Sequence, residues 1–254
     1  MKALIDADVL RYEIGACVEG DDGPLPFDVA AEYLDAAVER IATAVEADSV
    51  CMYLTDGGNF RNEIAVTKPY KGNRKSEKPF HFANLTTYIK NQYEWKSVDG
   101  LEADDLMAID QLDSEDLLDT VICTRDKDLR MIPGWHYGWE CGKQPEMFKK
   151  WVTYDGKLWK TEKGKVCGEG MSFFYLQLLV GDTVDNIPGC PGIGDSKAWK
   201  ILGDLEPHEM YDAVLATYKD RGADETLLLE QGQLLWMTRE LTEKGEPVLW
   251  QLPN

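Results

Sequence analysis

Apolar residues fall along the first 130 positions in two alternating patterns. Residues 2–5, 50–54 and 120–124 are short, nearly unbroken apolar runs, too short for helices, and read as buried strands. Between them lie segments of helical period. The stretch 19–27 (EGDDGPLPF) reads as a loop, and Asp28 is expected to cap a helix in which Tyr33 or Leu34, Val38, Ile41 and Val45 recur at three- and four-residue spacing. A second helical stretch covers 85–93, a short strand-like piece ends near Val98, and a further helix starts around Glu102. Strands alternating with helices predict an α/β fold with a mostly parallel sheet flanked by helices, in which ligands bind beyond the carboxyl ends of the strands.

The pattern changes farther along. Residues 133–170 are rich in Trp, Tyr, Lys and Gly with weak periodicity, and 151–154 with 157–160 read as a hairpin around Asp155-Gly156. Residues 171–180 form a firmly apolar helix, and 198–202, 210–218 and 227–239 read as three more. Alternation gives way to mostly helix near residue 170, which divides the chain into a catalytic-type α/β region, 1–170, and a helical region, 171–254.

Composition narrows the class. A chain of 254 residues with 44% hydrophobic content can bury a sizeable core. No apolar run approaches the ~20 residues of a membrane span, and MKALIDADVL lacks the pattern of a secretory leader, so a cytoplasmic protein that does not engage membranes is expected. The six cysteines are scattered without a C-x-x-C pair and read as reduced packing residues. A net charge of −19 argues, taken alone, against a nucleic-acid partner. That argument weakens if the acids converge on metal ions, each of which returns two positive charges.

The placement of the acids therefore decides the question. All three strands run into carboxylates: Asp6 and Asp8 after the first, Asp56 after the second, Asp126 and Asp128 after the third. Glu102 and Asp105 stand at i, i+3 at a helix start with Asp104 beside them. Asp182 and Asp185 share the same spacing farther on. Any one aspartate is ordinarily a loop or cap residue, but so many at one sheet edge would repel without a cation between them. Asp6, Asp56, Glu102, Asp104, Asp105, Asp126, Asp128, Asp182 and Asp185 are oxygen donors with no histidine among them, a set that selects Mg²⁺ or Mn²⁺ over zinc. They are too many for one ion, and two ions about 4 Å apart can clamp the attacking and leaving oxygens of a phosphoryl displacement.

Two further stretches fit that chemistry. Residues 68–78 (KPYKGNRKSEK) hold five basic residues against one acid in a chain that is otherwise acidic. Residues 187–194 (IPGCPGIG) lead into a helix opening at Asp195 or Ser196, so the Gly192-Ile193-Gly194 turn offers backbone N–H groups and a helix N-terminus to a phosphate. The ordinary alternatives are a solvated loop for the first and a helical hairpin with turn glycines for the second.

Taken in order, LIDAD, LTDGGNFR, YKGNRK, LEADD, CTRDKD and GDTVDNIPGCPGIG resemble the motifs of the 5′ nuclease superfamily, which includes flap endonucleases. The likeness runs through nearly the whole chain and is greatest to the 5′→3′ exonucleases of tailed phages. It implies a PIN-like catalytic domain, a C-terminal helix–three-turn–helix region that binds duplex DNA, and two or more Mg²⁺ or Mn²⁺ ions. One ion would be held by Asp6, Asp56, Glu102, Asp104 and Asp105, and another by Asp126, Asp128, Asp182 and Asp185, with Glu102 or Asp105 open to being shared. Tyr70, Lys71 and Arg74 match the segment at the base of the family's helical arch, where the lysine meets the scissile phosphate and the aromatic stacks on a base. Gly192, Ile193, Gly194, Ser196 and Lys197 match its backbone-binding hairpin, often occupied by K⁺. The implied activity is 5′→3′ exonucleolytic hydrolysis of duplex DNA with flap cleavage, by a monomer in the host cytoplasm if phage-encoded. The alternatives are a strict flap endonuclease, a non-catalytic DNA-binding protein, which would have lost acids, and a PIN-type ribonuclease, which has no need of the glycine hairpin.

Overall fold

The computed structural model describes every residue except Asp21, Ser76 and Asn254, so those positions of the 19–27 loop and the 68–78 segment lie outside the described residues. The chain forms two compact units, each assembled from several stretches. The first takes Met1–Gly58, Ser76–Leu129 and Gly134–Trp151; the second takes Asn59–Lys75, Arg130–Pro133 and Val152–Asn254.

In the first unit, β1 (Lys2–Asp6) leads directly into α1 (Ala7–Cys17). Where a plain loop is expected at 19–27, β2 (Glu19–Gly20) and β3 (Gly23–Pro24) pair as a short antiparallel ribbon, extended by a bond from Leu25 N to Val18 O at 2.9 Å. Next, α2 (Phe27–Val45) begins one residue before Asp28, with Pro26 in the cap position. Proline presets the entry angle, and Asp28 instead lies in the first turn, where a carboxylate suits the positive helix end. After β4 (Ser49–Tyr53), α3 (Arg61–Ile64) belongs to the second unit. The first unit resumes with α4 (Phe82–Gln92), β5 (Trp95–Lys96), α5 (Ala103–Asp113), β6 (Thr120–Cys123), β7 (Gly134–Gly138) and β8 (Met147–Val152).

These strands form one sheet in the order β5-β4-β1-β6-β7-β8, and the pairs from β5 through to β7 are parallel. A parallel sheet is buried on both faces, which is why its central strands are unbroken apolar runs. Ala3, Ile5, Met52, Leu54, Val121 and Cys123 join the core with α1, α2 and α4. Leu4, Cys51, Tyr53 and Ile122 are buried as well, and α5 packs against β1, β4 and β6. The register pairs Asp6 with Tyr53 and Ile5 with Cys123, so the residues that follow β1, β4 and β6 emerge at the same sheet edge.

The second unit is built on α6 (Gly170–Val180), buried nearly all round, with α7 (Asp195–Leu202), α8 (Pro207–Asp220) and α9 (Glu225–Leu235) packed against it. Phe174 meets Trp236 and Trp250 edge to face at 5.0 and 5.3 Å, and Tyr218 donates to Leu178 O at 2.7 Å. The helix expected to continue to Arg239 stops at Leu235. The buried Arg61 guanidinium takes the carbonyls of Leu234 and Trp236 at 3.0 and 2.7 Å, which satisfies that end and lets the chain turn away. The expected 151–160 hairpin is also replaced. Here β9 (Lys157–Lys160) pairs antiparallel with β10 (Val166–Glu169), while the Tyr154 and Asp155 carbonyls accept from Met171 N and Ser172 N at 2.8 and 3.0 Å. The Asp155-Gly156 turn therefore closes onto the start of α6 rather than joining two strands.

Candidate functional site

At the sheet edge of the first unit, each acid is held by a specific local device. Asp6 ends β1 and caps α1, accepting from Val9 N at 3.0 Å and from the Thr124 hydroxyl at 2.7 Å. That hydroxyl also accepts from Asp126 N at 2.9 Å, so one threonine joins the ends of β1 and β6. Asp126 Oδ1 in turn accepts from Asp128 N at 2.8 Å, and Lys127 Nζ lies 2.9 Å from Asp128 Oδ1. Thr55 performs the same task on the other side. Its N–H is shared by both oxygens of Asp8 at 3.1 Å, and its hydroxyl accepts from Ala103 N at 2.9 Å, which ties the end of β4 to the start of α5. Glu102 and Asp105 form a capping box there, and Asp104 lies half-buried in the same first turn. Asp56 is exposed and paired with Lys90, whose hydrogen bond and then charge hold its carboxyl below the usual range.

Charge density at this edge is high. Burial pushes the Asp6 carboxyl up to about 7, the neighbouring Asp8 and Asp126 charges push it the same way, and the Thr124 and Val9 bonds only partly oppose them. Arg11, buried beside Asp8 at 2.6 Å and stacked on Phe82 at 4.1 Å, is a buried cation that the fold supplies beside Lys90 and Lys127. Oxygen donors carrying such a load suit a hard divalent cation. Among the described residues no group of three or more Asp, Glu, His or Cys side chains is placed to hold a metal ion. Sequence reasoning named the acids but missed Thr55, Thr124 and Arg11, and left Asp8 without a role. The signal present was a threonine following two of the three strands.

In the second unit, Asp182 and Asp185 sit in a tight turn after α6. Asp182 and Ile187 exchange both backbone bonds, at 2.8 and 2.7 Å, and the buried Asp182 carboxylate accepts from Val184 N at 2.8 Å. Gly181 is required there. It has φ +71°, and a Cβ on it would lie 2.3 Å from Ile187 O. Asp185 faces the 69–74 segment: Oδ2 accepts from Tyr70 OH at 2.9 Å, Oδ1 from Arg74 at 2.7 Å, and Lys71 Nζ is 3.8 Å away. Tyr70, expected to stack on a base, is buried, with Lys71 and Arg61 at 4.8 and 5.9 Å from its ring centre.

Farther along, Gly192 and Gly194 are exposed and Ile193 is buried between them. Gly192 has φ +70°, and Lys197 Nζ donates to its carbonyl at 2.7 Å. At Gly194 a Cβ would meet nothing within 4 Å, so the fold itself would accept a side chain there. This residue caps α7 without a side-chain bond, and Ser196 and Lys197 are exposed in the first turn. The turn expected to open a helix at Asp195 does so.

No family model matches the chain. A DNA polymerase I of Rhizobium leguminosarum is 34% identical over 118 residues, 42% of this chain and 10% of the polymerase, so the likeness spans about a tenth of that relative's length. Among solved structures, the 5′-exonuclease of phage T5 with zinc bound superposes with a TM-score of 0.64 at 17% identity, covering 92% of this chain and 89% of that one. The T5 D15 protein crystallised with metal ions gives 0.61 at 17% identity over 91% and 87%. A complex of the T5 D15 flap endonuclease with DNA and metal ions gives 0.59 at 16% identity over 91% and 86%. The chain thus has the fold of the T5 5′-exonuclease, and the resemblance to 5′ nucleases read from its motifs extends to its backbone.

Proposed function

We propose that this protein is a divalent-metal-dependent 5′ nuclease that hydrolyses phosphodiester bonds from the 5′ ends of duplex DNA and also cleaves 5′ flaps. The observation that carries the reading is the gathering of Asp6, Asp56, Glu102, Asp104, Asp105, Asp126 and Asp128 at one edge of a parallel sheet in a T5-exonuclease fold. These acids would hold the divalent ions, which supply, when bound, charge stabilisation at the phosphate and an activated water. Asp182 and Asp185 are kept as further ligands on the strength of the motif resemblance. The T5 proteins crystallised with metal ions and with DNA support both cofactor and substrate class.

The chain's own contribution is positioning and electrostatics. Lys71 and Arg74 meet the scissile phosphate and stabilise its developing charge, while Tyr70 steadies Asp185. Gly192, Ile193, Gly194, Ser196 and Lys197 hold a backbone phosphate, with K⁺ beside them, at a turn whose Gly194 faces open space. Residues 82–92, between the basic segment and Glu102, form α4, which packs with α1 and α2.

Purified protein should be incubated with 5′-recessed, blunt and 5′-flap duplexes in Mg²⁺, beside EDTA and the Asp126→Asn/Asp128→Asn variant. Short 5′-phosphorylated products from recessed and blunt ends are expected, with loss on the order of a thousandfold in the variant. Cleavage confined to flaps would make it a strict flap endonuclease. No cleavage, or a variant as fast as its parent, would remove the nuclease reading.

A further inference from the structure

The basic segment 69–74 and the turn 182–187 are joined by more than the charges on Asp185. Lys71 N donates to Asp185 O at 2.9 Å, and two side-chain amides cross in opposite directions: Asn73 Nδ2 to Thr183 O at 2.7 Å, and Asn186 Nδ2 to Pro69 O at 2.9 Å. Within the segment, Gly72 N returns to Pro69 O and Arg74 N to Lys71 O, both at 3.1 Å. A Cβ on Gly72 would lie 2.9 Å from Pro69 Cβ, so this double turn needs its glycine.

Backbone conformation singles out the same residues. Outside glycine, positive φ occurs among the described residues at Glu46, Lys71 and Asn186, and two of those three face each other here. Asparagine tolerates the left-handed region well, whereas a lysine adopts it only when its surroundings impose it. The imposing groups lie on either side of Lys71: its own N–H bond to Asp185 O, the Asn186 amide on the carbonyl two residues before it, and the Asn73 amide two residues after it. Neutral amides do this without consuming the charge of Lys71 or Arg74.

We propose that Asn73 and Asn186 are positioning residues, which clamp the backbone on both sides of Lys71 so that its ammonium meets the scissile phosphate at a fixed place. The proposal rests on the nuclease reading above. Catalytic groups carried on loops need such support, since a displacement of about 1 Å can cost on the order of a hundredfold in rate. Asn186 has a second task as the left-handed residue of its own turn, and glycine can take over that task without the amide.

The test is a coupling measurement. Asn73→Ala and Asn186→Gly are made in the parent and in a Lys71→Ala background, and single-turnover cleavage of a 5′-recessed duplex in Mg²⁺ is compared with affinity for the same duplex in EDTA. In the parent, each substitution should slow cleavage by about tenfold to a hundredfold, with affinity within about threefold and an unchanged melting temperature. Asn73→Asp, which keeps the shape but not the donor, should match Asn73→Ala, and Asn73→Gln should recover part of the rate. In the Lys71→Ala background both effects should shrink below about threefold, since residues acting through one group are not additive. Unchanged rates, or losses as large without Lys71 as with it, would overturn the clamp. A parent that cuts no DNA would reveal a failure of the nuclease reading before any variant is made, and the clamp would fall with it.

Discussion

In the first unit, Asp6, Asp105 and Asp126 take their places from regular structure: the end of β1, the first turn of α5 and the residues after β6. The bonds among these elements come from backbone N–H groups and two threonine hydroxyls. In the second unit, Asp182 and Asp185 lie in no regular element. Their turn is kept by glycines at positive φ on either side, Gly181 and Gly189, and by side chains reaching from residues 70–74. The first arrangement inherits its rigidity from a buried sheet. The second must be over-determined by individual contacts, which is how strained conformations persist at working sites. The first should therefore tolerate the loss of single surface contacts, and the second should fail at single backbone positions.

The largest effect is expected from Gly181→Ala. Its Cβ would strike backbone atoms of Ile187, Pro188 and Gly189 in a conformation that alanine resists, so denaturant unfolding should show a loss of about 3 kcal/mol or more. A loss below about 1 kcal/mol would erase the contrast between the two regions. Thr124→Val comes next. It removes a buried donor to Asp6 and an acceptor for Asp126 N, for an expected cost of about 2 kcal/mol by the same measurement. Gly194→Ala separates binding from folding. With open space around its Cβ, stability should hold within about 0.5 kcal/mol. Affinity for duplex DNA, followed by fluorescence anisotropy, should fall several-fold because a phosphate can no longer approach the backbone. Unchanged affinity would leave the turn a purely structural element. The smallest change belongs to Lys90→Ala, whose partner Asp56 is exposed. An unchanged unfolding midpoint is expected, which tests whether the sheet edge stands without its surface pair.

The two regions also differ in how readily they are read. Strand ends marked by Asp6, Asp56 and Asp126 were legible because an apolar run both buries itself and announces where it stops. The capping box of Glu102 and Asp105 was legible as a spacing of three. The hairpin at 151–160 was misplaced because Asp155-Gly156 does make a turn, with Gly156 at φ +63°, but the partner of that turn is the start of α6. Nothing local distinguishes a turn that joins two strands from one that closes on a helix. The early end of α9 is of the same kind, since Arg61 lies 173 residues before the Leu234 carbonyl it takes.

By itself, the sequence determined the alternation of strand and helix, the acids at the strand ends, the glycine turn before α7 and the basic segment around Lys71, because each follows from periodicity or residue chemistry over a few positions. Tertiary structure alone decided which threonines join the strand ends, that Asp8 serves Thr55 and Arg11, and that Asn73 and Asn186 bracket Lys71. The physical reason is distance along the chain. A side-chain amide at position 73 and a carbonyl 110 residues later carry no mark of each other, and only packing brings donor and acceptor within 2.7 Å.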